Sequence, residues 1–217
     1  MPKIFLDIAI LLSAGVKYTV VLFVITIICS LPTGLLLTFL RIGKNKVLRW
    51  LTGMYVYLLR GTPLLLQLYF VYYGLPFIPG FQNVIVLERF TAAMLAFALN
   101  YSAYFCEIFR GGLLSIDKGQ YEAARVLGFN KVQTLFKIVI PQMLKVSLPS
   151  IANESITLVK DTALVTVIGV TEILYFAKAT VNREANFTAY IVAAVYYLFF
   201  NFLMTKLFDY LEKKFRY

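Results

Sequence analysis

Long uncharged apolar runs alternate with short basic stretches along this chain. About 20 apolar residues cross the hydrocarbon core of a bilayer, so each run marks a candidate span. Tyr18 to Leu40 is an unbroken run of 23, with Pro32 and Gly34 as places to bend. Leu51 to about Gly74 forms the second span and has Arg60 near its start. Thr91 to Cys106, extending to about Arg110, anchors the third. Val146 to about Ala177 holds the fourth, which carries charges. Phe187 to Thr205, an uncharged run of 19, is the fifth. This pattern predicts an all-α membrane protein with five transmembrane helices in one domain, residues 1–217. In residues 1–17 a short apolar set is interrupted by Lys3, Asp7 and Lys17, and no leader cleavage site follows. The segment reads as an amphipathic interfacial helix on the outer surface.

The polar positions depart from this rhythm at length only once, over residues 111–145. Within that loop, Tyr121 to Pro141 (YEAARVLGFNKVQTLFKIVIP) reads as two short helices. Asp117 can cap the first, with Gln120 three residues on. Asn130 can cap the second, with Gln133 three residues on. Gly128 lies between them, where a helix stop is easiest, and Pro141 closes the unit. Tyr121, Ala124 and Leu127 make one apolar stripe; Val132, Leu135, Phe136 and Val139 make its match.

Charge orients the chain. Arg41, Lys44, Lys46, Arg49 and Arg60 fall between or near spans one and two. Arg110, Lys118, Arg125, Lys131, Lys137 and Lys145 fall between spans three and four. Lys206, Lys213, Lys214 and Arg216 end the chain. These are most of the 21 basic residues. The positive-inside rule therefore puts the amino terminus outside and the carboxyl terminus and hairpin in the cytoplasm. The net charge of +10 then reflects loop bias before it reflects nucleic-acid binding. The chain has no histidine, which excludes zinc-hydrolase motifs and histidine relays. Cys29 and Cys106 lie in apolar stretches as packing residues, and no metal or catalytic constellation is expected. The phosphate-binding Gly-x-x-x-x-Gly-Lys-Ser/Thr loop is also missing.

The hairpin resembles the EAA loop of permease subunits of ATP-driven (ABC) importers. Glu122-Ala123-Ala124, then Gly128, then Ile138, Ile140 and Pro141 follow its pattern, with Ile140 where leucine is usual. Arg60-Gly61-Thr62-Pro63-Leu64 with Gln67 is similar to the second-span signature of the polar amino-acid permeases, of the histidine/glutamine/arginine type. Asn100-Tyr101-Ser102-Ala103-Tyr104 with Glu107 and Arg110-Gly111-Gly112 is similar to their third. Asn153-Glu154 with Lys160-Asp161-Thr162 is similar to their fourth. The resemblance implies a five-span type I importer subunit of a bacterial cytoplasmic membrane. It implies a dimer with itself or a relative, two copies of a cytoplasmic ATP-binding subunit, and an extracytoplasmic amino-acid-binding protein. ATP and Mg would sit on the ATPase, and this chain would bind no cofactor. Tyr121, Glu122, Ala123, Ala124, Gly128 and Pro141 are the expected ATPase-coupling residues. An amphipathic hairpin lying on lipid is the alternative reading of the same stripes.

Glu154, Lys160 and Asp161 fall inside the fourth span, where each ionised group costs about 2.5–3.5 kcal/mol on insertion scales. On a helix, Glu154, Thr157 and Asp161 share a face, while Asn153 and Lys160 lie about 100° away. The arc suits a substrate with an ammonium and a carboxylate. Glu154 or Asp161 would meet the first and Lys160 the second, with Asn100 adding hydrogen bonds. The excess of acid favours a basic amino acid. An internal Lys160–Asp161 pair that only orders the span is the structural alternative. Arg60 to Pro63 reads as a hinge or a kink. Glu107 and Arg110 pair as a helix-end anchor. Tyr69, Phe70, Tyr72 and Tyr73 form an interface belt or pore wall. The competing function is an ion-coupled secondary carrier with Glu154, Lys160 and Asp161 as its relay. Such carriers carry inverted repeats, and none is evident.

Overall fold

The computed structural model describes residues 2–78 and 87–215, and all regular structure among them is helical. Arg216, counted in the basic tail, lies outside the described residues. Among the described residues four helical segments are long and apolar enough to cross a membrane: Lys3–Ile42, Arg89–Leu114, Lys131–Ile168 and Thr188–Phe215. A shorter apolar segment spans Leu64–Phe77.

Helix α1 runs unbroken over Pro2–Ile42. At 1.5 Å per residue it is roughly 60 Å long, about twice a bilayer core. The first seventeen residues are therefore not a helix of their own. No strong breaker separates Pro2 from Pro32, and Ile8 and Leu12 are fully packed in a core with Ile173, Ala177 and Ala189. Pro32 stays inside the helix without ending it. Gly34 serves close approach: a Cβ there would lie 2.7 Å from Phe105 Cβ on the crossing helix.

That crossing helix, α4 (Arg89–Leu114), is the centre of the fold. Phe97, Tyr101, Phe105 and Phe109 are buried along it at four-residue spacing. Successive rings pack 6.3 to 6.4 Å apart, centroid to centroid. On other sides Ala103 and Cys106 admit Val56 of α2 (Lys46–Gly61).

The second expected span is not continuous. Thr62 and Pro63 are extended, with ψ of 147° and 134°, and divide α2 from α3 (Leu64–Tyr69). Pro63 cannot donate to the Leu59 carbonyl four residues back, and it biases Thr62 away from helical geometry. Helix α3 continues through a π-type turn at Phe70–Gly74 and a short 3-10 turn at Leu75–Phe77.

The fourth span starts and stops earlier than its apolar run suggests. Helix α5 (Lys118–Val126) leads by a turn to α6 (Lys131–Thr134), a π-type turn at Leu135–Val139 and α7 (Ile140–Asp161). Pro141 therefore opens the long helix and does not close the hairpin. Proline is tolerated in a first turn, and the π-type bond from Ile140 N–H to the Leu135 carbonyl widens the backbone just ahead of it. A 3-10 stretch, Thr162–Ile168, ends at Gly169, and α8 (Ile173–Glu184) begins a separate element. Glu172 caps α8 and is fully buried. Its carboxylate accepts from the Thr166 hydroxyl (2.5 Å), the Tyr175 amide (2.8 Å) and the Tyr197 hydroxyl (2.5 Å). It thereby ties the end of the fourth span to α9 (Thr188–Phe215).

Candidate substrate cavity and coupling hairpin

The hairpin is shaped by bonds between near neighbours. Asp117 Oδ1 accepts from the Gly119 amide at 2.6 Å. The expected reciprocal bond from Gln120 is absent, because the Gln120 side chain accepts from Gln142 Nε2 on α7. At the second helix the capping box is complete: Asn130 and Gln133 exchange bonds of 2.9 Å in both directions. Between them Gly128 adopts φ of +78°. The Phe129 amide bonds to the Ala124 carbonyl and the Gly128 amide to that of Arg125, a Schellman closure.

Ala124, Thr134 and Val139 are buried, and Leu135 is half-buried, where α5 meets the Lys131–Val139 segment. The two apolar stripes expected from spacing are thus partly turned inward: Leu135 and Val139 join the bundle core that holds Phe109, Ile116 and Met143, which anchors the second arm of the hairpin. What faces outward is an apolar tip: Val126 is 87% exposed, Leu127 73%, Val132 64% and Phe136 61%. Tyr121, Glu122, Ala123, Gly128 and Pro141 are exposed around it, with Arg125 and Lys131 at its flanks.

A cavity of about 610 Å³ opens where the α2–α3 break faces α4 and α7. Asn100, Glu154, Thr157 and Asp161 line it together; Asn153 and Lys160 do not, and both are exposed elsewhere. Among the described residues no Lys160–Asp161 ion pair forms. Asp161 Oδ2 instead accepts from the Tyr101 hydroxyl at 2.7 Å. Glu154 has neither a hydrogen bond nor an ion pair among the described residues.

Asn100 is largely committed to the backbone. Its Nδ2 donates to the Leu59 carbonyl (3.0 Å) and to Gln67 Oε1 (2.9 Å). Gln67 Nε2 donates to the same Leu59 carbonyl (2.8 Å) and to the Thr62 carbonyl (3.0 Å) and hydroxyl (2.8 Å). These two amides replace the N–H that Pro63 lacks, so the break is bonded in place.

Beside the cavity, Glu107 gathers arginines from three helices. Arg110 donates to its Oε2 from Nε (3.0 Å) and Nη2 (2.6 Å). Arg41 Nε lies 2.9 Å from Oε1, off hydrogen-bond alignment, and Arg60 Nη1 lies 3.8 Å from Oε2. The expected Glu107–Arg110 anchor is present and joins the ends of α1, α2 and α4.

The family described as "Binding-protein-dependent transport system inner membrane component" matches residues 30–217. This chain belongs to it. The chain is 36% identical over 206 residues to the L-cystine transport system permease protein TcyB of Bacillus subtilis (strain 168), covering 94% of this chain and 86% of that one. It is 38% identical over 186 residues to the arginine transport system permease protein ArtQ of the same organism, covering 85% and 83%. A solved amino acid ABC transporter with histidines superposes with a TM-score of 0.85 at 32% identity, covering 94% of each chain. The MetNI methionine ABC transporter shares the fold, with a TM-score of 0.76 at 21% identity over 95% of this chain and 97% of that one.

In this family member, sequence reasoning left three polar cavity residues without a substrate role. Arg60, Tyr101 and Tyr104 line the same space. Tyr104 lies four residues from Asn100, one helical turn on the same face, which is the signal that was available. Tyr101 reaches Asp161 across 60 residues of sequence, a contact that no local pattern announces.

Proposed function

We infer that this chain is the transmembrane permease subunit of an ATP-driven importer that moves polar amino acids into the cell. The observation that carries this reading is the doubly capped hairpin with its apolar tip turned outward. Leu127 and Phe136 present a knob fit for a groove on a moving partner, flanked by basic side chains for an acidic rim. Membership of the binding-protein-dependent family supports a nucleotide-driven partner over an ion-coupled carrier. Five membrane crossings complete the scheme, with Leu64–Phe77 as the short one, the amino terminus outside and the hairpin cytoplasmic. Two permease chains, identical or related, enclose one pathway. Two cytoplasmic ATPase subunits engage the hairpins through the exposed Tyr121, Glu122, Ala123, Gly128 and the tip, while buried Ala124 supports that surface from inside. An extracytoplasmic binding protein delivers substrate. ATPase closure pulls the hairpins together and opens the outer side; reopening releases substrate inward.

The cavity is the substrate site in this scheme. The unpaired Glu154 carboxylate takes the ammonium group, with Thr157 and Asp161 beside it. Two carboxylates against one guanidinium favour basic over acidic substrates. Reconstitution of the permease with its ATPase and binding protein in proteoliposomes tests the function. Uptake should require internal or external MgATP at the ATPase face and should ignore imposed proton or sodium gradients. Uptake driven by an ion gradient without nucleotide would overturn the assignment.

A further inference from the structure

We propose that Arg60 is the residue that binds the α-carboxylate of the substrate and so makes the site specific for free amino acids. This rests on the reading of the cavity as a substrate site. Lys160, the cation first suggested by spacing, lies outside the cavity and is exposed. Arg60 is the cationic side chain that lines the cavity, which it shares with Glu154 and Asp161.

Its bonding state fits that role. The guanidinium lies 5.2 Å from the centroid of the Tyr104 ring, a cation–π contact that uses no N–H, and among the described residues its donors make no hydrogen bond. Its nearest anion is Glu107, at 3.8 Å, beyond hydrogen-bond reach. Glu107 Oε2 is already taken by two bonds from Arg110, and Oε1 is faced by Arg41. Arg60 is therefore steered by Glu107 without being consumed by it. A planar guanidinium with open donors is the group that grips a carboxylate by two parallel bonds. Asp161, in the same lining, is held by Tyr101, while Glu154 makes no hydrogen bond or ion pair among the described residues. The cavity thus offers one open fork of donors and one open acceptor, the complement of a zwitterion.

The test is equilibrium binding of labelled L-arginine and L-glutamine to the permease purified with its ATPase. Each is competed by the unlabelled amino acid and by its α-carboxamide, which keeps the ammonium and loses the carboxylate. The unaltered complex should prefer the free acid by roughly 10- to 100-fold, the range for a charged hydrogen bond lost in a desolvated site. Arg60→Gln should bring the free acid down to the level of the amide and leave amide affinity unchanged. Arg60→Lys should restore part of the preference. Glu154→Gln should weaken acid and amide in step. If Arg60→Gln weakened acid and amide by the same factor, Arg60 would be a structural tether and the proposal would be overturned. If the unaltered complex bound neither amino acid, the substrate-site reading itself would fall and this proposal with it.

Discussion

The hairpin and the cavity are built by opposite means. Every bond that shapes the hairpin turn joins residues within five positions of each other, from Gly119–Asp117 to Phe129–Ala124. The cavity also uses short-range bonds at its break, from Gln67 to Leu59 and Thr62, but what joins its separate helices are bonds between residues 33, 41 and 60 positions apart. A locally closed unit keeps its shape while it is pushed or pulled, which is what a coupling element requires. A cavity walled by several helices changes shape whenever those helices move, which is what alternating access requires.

The sharpest way to break this comparison is at the tip. Leu127→Asp or Phe136→Asp places a charge on a side chain that is mostly exposed and belongs to no core cluster among the described residues. Melting temperature should be unchanged, and ATPase affinity should fall by more than about 100-fold, as for loss of a central apolar anchor. Pull-down of the ATPase from the reconstituted complex reads the effect. Retained association would mean that the hairpin tip is not the docking surface.

The second test strikes the long-range design. Glu107→Ala leaves Arg41, Arg60 and Arg110 facing one another at the meeting point of three helices. The carboxylate is largely buried, with 14% of its side chain exposed, so the expected loss is about 3 kcal/mol, the lower end for breaking a buried pair. It should appear as a lower melting temperature in detergent with hairpin protection from hydrogen exchange intact. A fall in hairpin protection instead would show that the two regions are not independent.

This division also explains what could be read from the chain. The hairpin, its two caps and Gly128 were legible because their chemistry is local; the Gln120 side chain went elsewhere, to Gln142 on another helix, and Pro141 proved to open that helix rather than close the hairpin. The apolar runs gave the long helices. The break at Pro63 came from the proline itself, read as a hinge or kink at Arg60 to Pro63; what apolar composition did not say is which side chains would replace the missing donor. The apolar runs also carried the fourth span past Gly169, where a left-handed turn ends it. Helical periodicity placed Glu154, Thr157 and Asp161 on one face correctly, yet could not say that Lys160 falls outside the cavity or that Arg60 enters it. Asn100 was assigned to substrate, while its amide nitrogen is engaged by the Leu59 carbonyl and Gln67. Glu172 escaped notice because its three donors come from Thr166, Tyr175 and Tyr197.

Asn100 and Gln67 permit a third test. Both donate to the Leu59 carbonyl, so either single alanine variant leaves one donor in place and should cost about 1 kcal/mol. The double variant leaves a part-buried carbonyl without either donor and should cost about 3 kcal/mol, more than the two added. Denaturation of the four species in a double-mutant cycle measures the coupling. Strict additivity would mean that the two amides do not share the task of replacing the proline N–H.

The smallest expected effect tests the hairpin's independence most directly. Gly128 has φ of +78°, and a Cβ there would meet nothing within 4 Å. Gly128→Ala therefore creates no clash, and its cost is backbone strain alone, about 1 kcal/mol. Asn130→Ala removes one half of a complete capping box and should cost a similar amount, about 1 kcal/mol. Both losses should stay within the unit that suffers them. Hydrogen exchange should quicken over residues 118–134, while the amides of α4 around Tyr101 exchange as before. ATPase affinity should fall about 5-fold, because the partner must now restore the turn before it docks. If exchange quickened equally along α4 and α7, the turn would be held by the bundle and not by its own caps.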